Sequence, residues 1–448
     1  MSEALLAEAP QPVPIEPLYV KLPGGRRGAR GLSKDEVAAD QRRRLQGAMI
    51  EAIDRHGYQK TTAREVCRLA AVSERAFYEL FDNKQGCFVA SYDTIVRLGV
   101  ERIGVAYRSP GAWQAKLRAA FDAYATEVVN DPKAARLVLV EVLGAGPAAL
   151  ARMRSTRLIF ERIVSASFSE APDGVTLPSL IAKGIVCGVE RITRQRLLAG
   201  GIEELPALAD ELLTWALSYR SPAATALAAT SAAHDEWRAP DRSAARVEND
   251  RARILYSAAR IAAANGYAHL TPTKIMRAAG VSEATFDDLF QSTEQCFLDA
   301  LDRLWLEALV CAARASRSSE DRLAGAHRGI VALMQHIASD PVLVRVAFVE
   351  IFALGPAGIK RRERLLGKFT ELLAKSLPRS QRPSDLVAEA SVGAIWGIVH
   401  YHVTRGATHQ LPGLADYATY IVLAPVIGGE AAAKVILAGE EGVCVRAA

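Results

Sequence analysis

The residues of this chain best suited to a chemical task are arginines. Between 21 and 44 stand eight basic residues (Lys21, Arg26, Arg27, Arg30, Lys34, Arg42, Arg43, Arg44) against three acidic ones (Asp35, Glu36, Asp40). Gly24, Gly25, Gly28 and Gly31 interrupt the run. Arg26, Arg27 and Arg30 therefore read as a flexible Arg-Gly arm of the kind that enters a DNA minor groove. Farther on, Arg75 lies in the short segment VSERAFYELF (72–81). Its guanidinium fork matches O6 and N7 of guanine in a major groove. Other chemistries are poorly provided for. His400 and His402 are two apart, so on a helix they point to different faces and make a poor metal pair. The six Cys form no CxxC, and Cys87 and Cys296, each beside a Phe, read as small core residues. There is no GxSxG, no Gly-rich phosphate loop and no convergent Asp/Glu/His set. No enzyme activity, cofactor or metal is expected.

The elements that must position these arginines read as helices. Leu45, Ala48, Met49, Ala52 and Ile53 fall at 0, 3, 4, 7 and 8, one apolar stripe. Ser33-Lys-Asp-Glu36 caps this first helix, and Gly57 supplies a left-handed residue to end it. Thr62-Ala-Arg-Glu65 reads as a capping box for a short second helix, closed at Ala71. Ser73 starts a third, in which Phe77 and Leu80 face inward. Two short helices with a tight turn between them are a helix-turn-helix. No sustained period-two pattern marks a strand.

The chain also repeats itself. VSERAFYELF (72–81) recurs as VSEATFDDLF (281–290), an offset of 209, and Gly57-Tyr58 recurs as Gly266-Tyr267. Between 57 and 88, 13 of 32 positions match without a gap, where roughly two would match by chance at ordinary residue usage. NDPKAARLVLVEVLGAGP (130–147) meets SDPVLVRVAFVEIFALGP (339–356) at the same offset, and GGIEELPALAD (200–210) meets GATHQLPGLAD (406–416) at 206. The small, polar segment 221–245 reads as a linker between two copies of one domain.

With Gly57-Tyr58, Thr61-Thr62, Val66, Ala70-Ala71-Val72-Ser73, Phe77-Tyr78, Phe81 and Lys84, the sequence resembles the TetR/AcrR family of bacterial transcriptional regulators. The resemblance is strong over the first 50 or so residues of each repeat and rests elsewhere on length and helical content. It implies an all-α fold of two tandem TetR-like units, each a three-helix head plus a helical ligand-binding and dimerisation region. The implied boundaries are an arm at 1–34, a head at 35–95, a regulatory region at 96–220 and the linker at 221–245. A degenerate second head follows at 246–304, a second regulatory region at 305–427 and a tail at 428–448. The resemblance makes 73–80 the recognition helix, with Ser73, Glu74, Arg75, Tyr78 and Glu79 outward. It makes Tyr78, Lys84, Thr62 and Arg64 phosphate contacts, which set register while base contacts set sequence.

The second copy departs from this pattern. Ala284, Asp287, Asp288 and Thr293 stand where the first has Arg75, Tyr78, Glu79 and Lys84. From 57 to 90 five basic and four acidic residues give +1; from 266 to 299 two basic and five acidic give −3. Carboxylates facing phosphates weaken binding, so the first head is expected to read double-stranded DNA and the second little or none. The last two long helices of each copy, 179–199 with 204–219 and 385–405 with 413–427, are expected to pair. The result would be an intramolecular pseudo-dimer, with a homodimer of tandem chains as the alternative. A small apolar or amphipathic effector is implied by the family, entering among aromatics such as Trp113, Phe121, Tyr124 and Phe160, or Trp305, Phe348, Phe352, Trp396 and Tyr401. Effector binding would favour a head spacing that misfits successive major grooves. Glu141 and Glu350 sit at matched places in apolar runs and need partners, most simply a nearby Arg. A protein-binding module with little DNA binding through the second copy is the rival reading.

Composition agrees with these expectations. The 448 residues are 50% hydrophobic and 23% charged, with a net charge of +5, as in a soluble protein of two to four domains. The first residues are acidic where an export signal is basic, and the longest uncharged run, 390–404, is too short to span a bilayer. A reduced, cytoplasmic setting at the nucleoid is expected, with no membrane contact.

Overall fold

The computed structural model describes residues 33–172, 175–224 and 249–444, with side chains to 438. Every regular element among these residues is a helix. Arg26, Arg27 and Arg30, and the linker from 225 onward, lie outside the described residues.

Helix α1 spans Lys34–Lys60 and starts with a reciprocal box. The Ser33 hydroxyl accepts from the Glu36 N–H, and the Glu36 carboxylate accepts from the Ser33 N–H at 2.7 Å. Its apolar stripe, Leu45, Ala48, Met49, Ala52 and Ile53, is buried. Gly57 breaks it with φ +75°, a conformation that costs a Cβ-bearing residue about 1 kcal/mol or more. Helix α2 (Ala63–Ala70) is capped by Thr62, whose hydroxyl accepts from the Glu65 N–H. The expected return bond of a capping box is replaced: the Glu65 carboxylate lies 3.1 Å from His56 Nε2. Helix α3 is Glu74–Leu80, with Ser73 as its cap and not its first turn. Phe77 is fully buried, and Leu80, expected in the core, is half-buried.

Helix α4 (Lys84–Tyr107) carries the chain out of the head without a break. It is followed by α5 (Trp113–Asn130), α6 (Pro132–Leu139), a 3-10 turn at Glu141–Gly144, and α7 (Pro147–Ser169). Then come α8 (Ser179–Ala199), a 3-10 turn at Ile202–Leu208 and α9 (Ala209–Leu217). α-Helices in the same order follow from Asp250–Asn265 to Ala415–Ile427, with two further 3-10 turns at Tyr267–His269 and Arg379–Gln381. Expected boundaries at 95 and 304 both fall inside 24-residue helices, Lys84–Tyr107 and Thr293–Ser316, because neither contains a Pro to stop it. The expected tail from 428 is instead a helix, Gly429–Cys444. Its Ala432, Ala433 and Ile436 are buried, since an Ala-rich amphipathic stretch gains more by packing than by exposure.

The described chain divides into two compact units. One holds residues to Phe160 with Thr193–Ala209; the other holds Glu161–Ile192 and Asp210 onward. Within the second unit, α8 and α9 meet Asp385–Val403 and Ala415–Ile427. Trp215 Nε1 donates to Ser391 Oγ at 3.1 Å, and the Tyr219 hydroxyl donates to the Ile421 carbonyl at 2.9 Å. No helix among the described residues is long and apolar enough to cross a membrane.

Candidate nucleic-acid interface

Helix α3 offers one wet face and one dry face. Phe77 points into the head against Phe81, ring centroids 5.6 Å apart. Ser73, Glu74, Arg75, Tyr78 and Glu79 are exposed. Tyr78 is 57% exposed, which is unusual for so large a ring and leaves its hydroxyl free to meet a polar partner. Its ring leans edge-on against Phe77 at 5.2 Å, which limits where that hydroxyl can go. The Arg75 side chain is 89% exposed and its Nε pairs with Glu79 Oε1 at 3.0 Å, one turn on. An exposed i,i+4 pair is worth a few tenths of a kcal/mol, so the guanidinium can leave it for a guanine edge. Thr62 and Arg64 are exposed at the start of α2, where unpaired N–H groups favour an anion. Arg64 Nε lies 3.9 Å from Glu74 Oε1.

Lys84 is held at the base of the head. Its ammonium donates to the carbonyls of Tyr58 and Thr61, both at 2.9 Å, and stands 4.2 Å from the centre of the Tyr58 ring. Burial lowers its pKa. Two of its three protons thus go to carbonyls at the end of α1. Arg42 and Arg44, counted with the basic run, turn back onto the head, Arg42 remaining exposed and Arg44 half-buried. Arg44 donates to the Ala70 and Ala71 carbonyls, closing α2, and Arg42 lies over the Phe81 ring. Sequence reasoning missed both, although their recurrence as Arg251 and Arg253 was a signal. Arg251 lies over Phe290 and Arg253 donates to the Gly280 carbonyl.

The second head keeps the scaffold and changes the face. Ser282 caps Glu283–Leu289, and Phe286 and Phe290 are buried. Asp287 and Asp288 are exposed where the first head presents Tyr78 and Glu79. Thr293 replaces the lysine that closes α1.

Each head is tied to the helices that follow by a buried carboxylate. Glu141 Oε2 accepts from the Tyr58 N–H at 2.9 Å and Oε1 lies 3.5 Å from Arg136; Glu350 Oε2 accepts from the Tyr267 N–H at 2.8 Å and Oε1 lies 2.8 Å from Arg345. The expected Arg partner is present in both, and the backbone partner is additional.

The second unit also holds an apolar cavity of about 100 Å³. Of the aromatics singled out from the sequence, Trp305, Phe348 and Trp396 line it; Phe352 and Tyr401 are not among its lining residues. Phe348 and Trp396 stack with centroids 4.2 Å apart. In the first unit, Tyr124 packs on Phe121 and Phe160 and meets Thr193 Oγ1 at 3.0 Å, while Trp113 is buried. Cys87 and Cys296 are fully buried, and burial pushes both thiols up to about 12. Among the described residues no group of three or more His, Cys, Asp or Glu could hold a metal ion.

Residues 48–90 match the model of bacterial regulatory proteins of the tetR family. No curated protein matches the chain. Solved structures similar to it include the fatty acid degradation regulator FadR from Bacillus halodurans, 16% identical, which covers 39% of this chain and 96% of its own length at a TM-score of 0.36. The transcriptional regulator FadR from Bacillus subtilis, solved in complex with stearoyl-CoA, is 15% identical and covers 39% and 97%, at a TM-score of 0.35. The matched segment contains α2, α3 and the turn between them, with the outward Arg75 and Tyr78, so the similarity to bacterial regulatory proteins of the tetR family lies in this first head.

Proposed function

We propose that the chain is a ligand-responsive transcriptional repressor that reads its operator through the first head alone. Helix α3 enters the major groove, where Arg75 reads a base and Ser73 and Glu74 lie beside it. Tyr78, Thr62 and Arg64 bind phosphates and set the register. Arg26, Arg27 and Arg30 add minor-groove contact from the arm. One observation carries this reading: at one scaffold position the first head exposes Tyr78 and the second exposes Asp287. The two halves of the chain act as a pseudo-dimer, the second half supplying the partner and an effector site. The apolar cavity beside Trp305, Phe348 and Trp396 suits a small apolar ligand or the apolar end of an amphipathic one.

A footprint on DNA upstream of the chain's own gene tests the reading. One lobe, lost in Arg75→Ala and kept in Asp287→Ala, is expected. Two lobes across about two helical turns, or loss in Asp287→Ala, would give the second head a part in reading.

A further inference from the structure

The contacts between α8 and Asp385–Val403, all inside the second unit, obey a hidden symmetry. A Cβ built on Gly184 would lie 3.4 Å from Ala394 Cβ, and one on Gly188 would lie 2.8 Å from the Ala390 carbonyl oxygen. A Cβ on Gly397 would lie 2.3 Å from Cys187 Sγ, and one on Gly393 would lie 2.7 Å from Arg191 Cβ. The offset of 206 between the two copies turns 184 into 390, 187 into 393, 188 into 394 and 191 into 397. Under it the contact 184–394 becomes 390–188, and 187–397 becomes 393–191. The contacts exchange in pairs, as in the isologous interface of a two-fold dimer, but between two segments of one chain.

The residues at these matched places are not alike. Where the first copy has Cys187 and Arg191, the second has Gly393 and Gly397. If α8 met another α8, Arg191 would face the copy's Cys187 at a place where even a bare Cβ now falls inside contact distance. If Asp385–Val403 met its own copy, glycine would face glycine and leave holes that a packed interior does not tolerate. Charge runs the same way. Arg191 Nε lies 3.8 Å from Glu363 Oε2, and the two side chains are only 3% and 13% exposed. At offset 209 the residue matching Glu363 is Arg154, so two first copies would set Arg191 against an arginine in a dry site.

We propose that this surface accepts only the opposite copy in the same chain. The protein is then a closed single-chain pseudo-dimer whose pairing surface is used up internally. Resting on the reading of the first head as the DNA reader, its partner is a single half-site that is not palindromic. The selectivity combines a fit for the right partner with clashes against the wrong ones.

Disulfide trapping tests the closed surface. Gly184→Cys with Ala394→Cys, on a Cys187→Ser background, places two thiols at a Cβ separation close to that of natural disulfides. Oxidation of the full-length protein is expected to link 184 to 394 within one chain, with the intact mass remaining at 48.2 kDa at every protein concentration. Peptide mapping identifies the link. A 184–394 link between chains, at twice that mass, overturns the proposal; so does no link in a variant whose helical signal and Tm match the parent. The link is read without DNA. A missing footprint beside an intrachain link would therefore count against the DNA-reading head and leave the closed surface standing.

Discussion

The backbone N–H of Tyr58 donates to the buried carboxylate of Glu141 at 2.9 Å, across 83 residues of sequence. Gly57, at φ +75°, takes that N–H off the helical ladder and aims it at the 3-10 turn that follows α6. The same join recurs between Tyr267 and Glu350, beside Gly266 at φ +86°. Gly-Tyr in one place and Glu in the other are two ends of one connection between a head and the helices behind it.

Removing the acceptor strands a buried donor, at a cost of about 1–3 kcal/mol. Glu141→Leu should therefore lower stability by that order in urea unfolding, and Glu141→Gln by less, because an amide oxygen still accepts from Tyr58. Equal stability of all three proteins would mean that the bond contributes nothing.

Ala71 is the one non-glycine residue with positive φ among those described, at +51°, and Gly280 fills the matching place at +64°. The left-handed conformation costs alanine about 1 kcal/mol relative to glycine. Ala71→Gly should raise Tm, and Gly280→Ala should lower it. A built Cβ meets nothing within 4 Å at Gly280, so crowding does not confuse the comparison.

His327 is buried against Thr419 Oγ1 at 2.9 Å, and burial, with Arg328 nearby, lowers its pKa from 6.5 to about 4. The unfolded chain takes this proton below about 6.5 and the folded chain only near 4. The neutral ring's contribution is therefore complete above 6.5 and is lost as pH falls toward 4, by about 3 kcal/mol at most. His327→Gln should flatten the pH dependence of unfolding in that window. An unchanged slope would assign the acid sensitivity to other groups.

The apolar cavity beside Trp305 should take up a small apolar molecule. Benzene at ten times its Kd would stabilise the protein by about 1.4 kcal/mol, seen as a rise in Tm. Leu333→Trp, which adds bulk to the cavity wall, should abolish that rise and leave the Arg75-dependent footprint intact. A rise that persists in the variant would place the benzene elsewhere.

Much of the first head is legible in the sequence. The stripe from Leu45 to Ile53, the caps at Ser33, Thr62 and Ser73, and the turn at Ala71 depend on neighbours three or four residues away, and such spacing is written in the chain. The outward set Ser73, Glu74, Arg75, Tyr78 and Glu79, implied by the resemblance, agrees with the position of Phe77, because one buried residue orients a helix of seven. The offsets of 209 and 206 were equally a property of the sequence.

Lys84, Glu141 and Arg191 behave differently. An ammonium can bind a phosphate or a pair of carbonyls, and the choice depends on Tyr58 and Thr61 lying within reach across more than 20 residues. Glu141 suggested an arginine, yet its closer partner is a backbone N–H that only the folded turn delivers. Arg191 gave no sign that a glycine 202 residues later makes room for it. Residue types and short spacings determine helices, caps and faces, because those interactions are local. Which side chains share a buried site is decided by long-range packing, where partners, exclusion of water and available volume are set by the assembled fold.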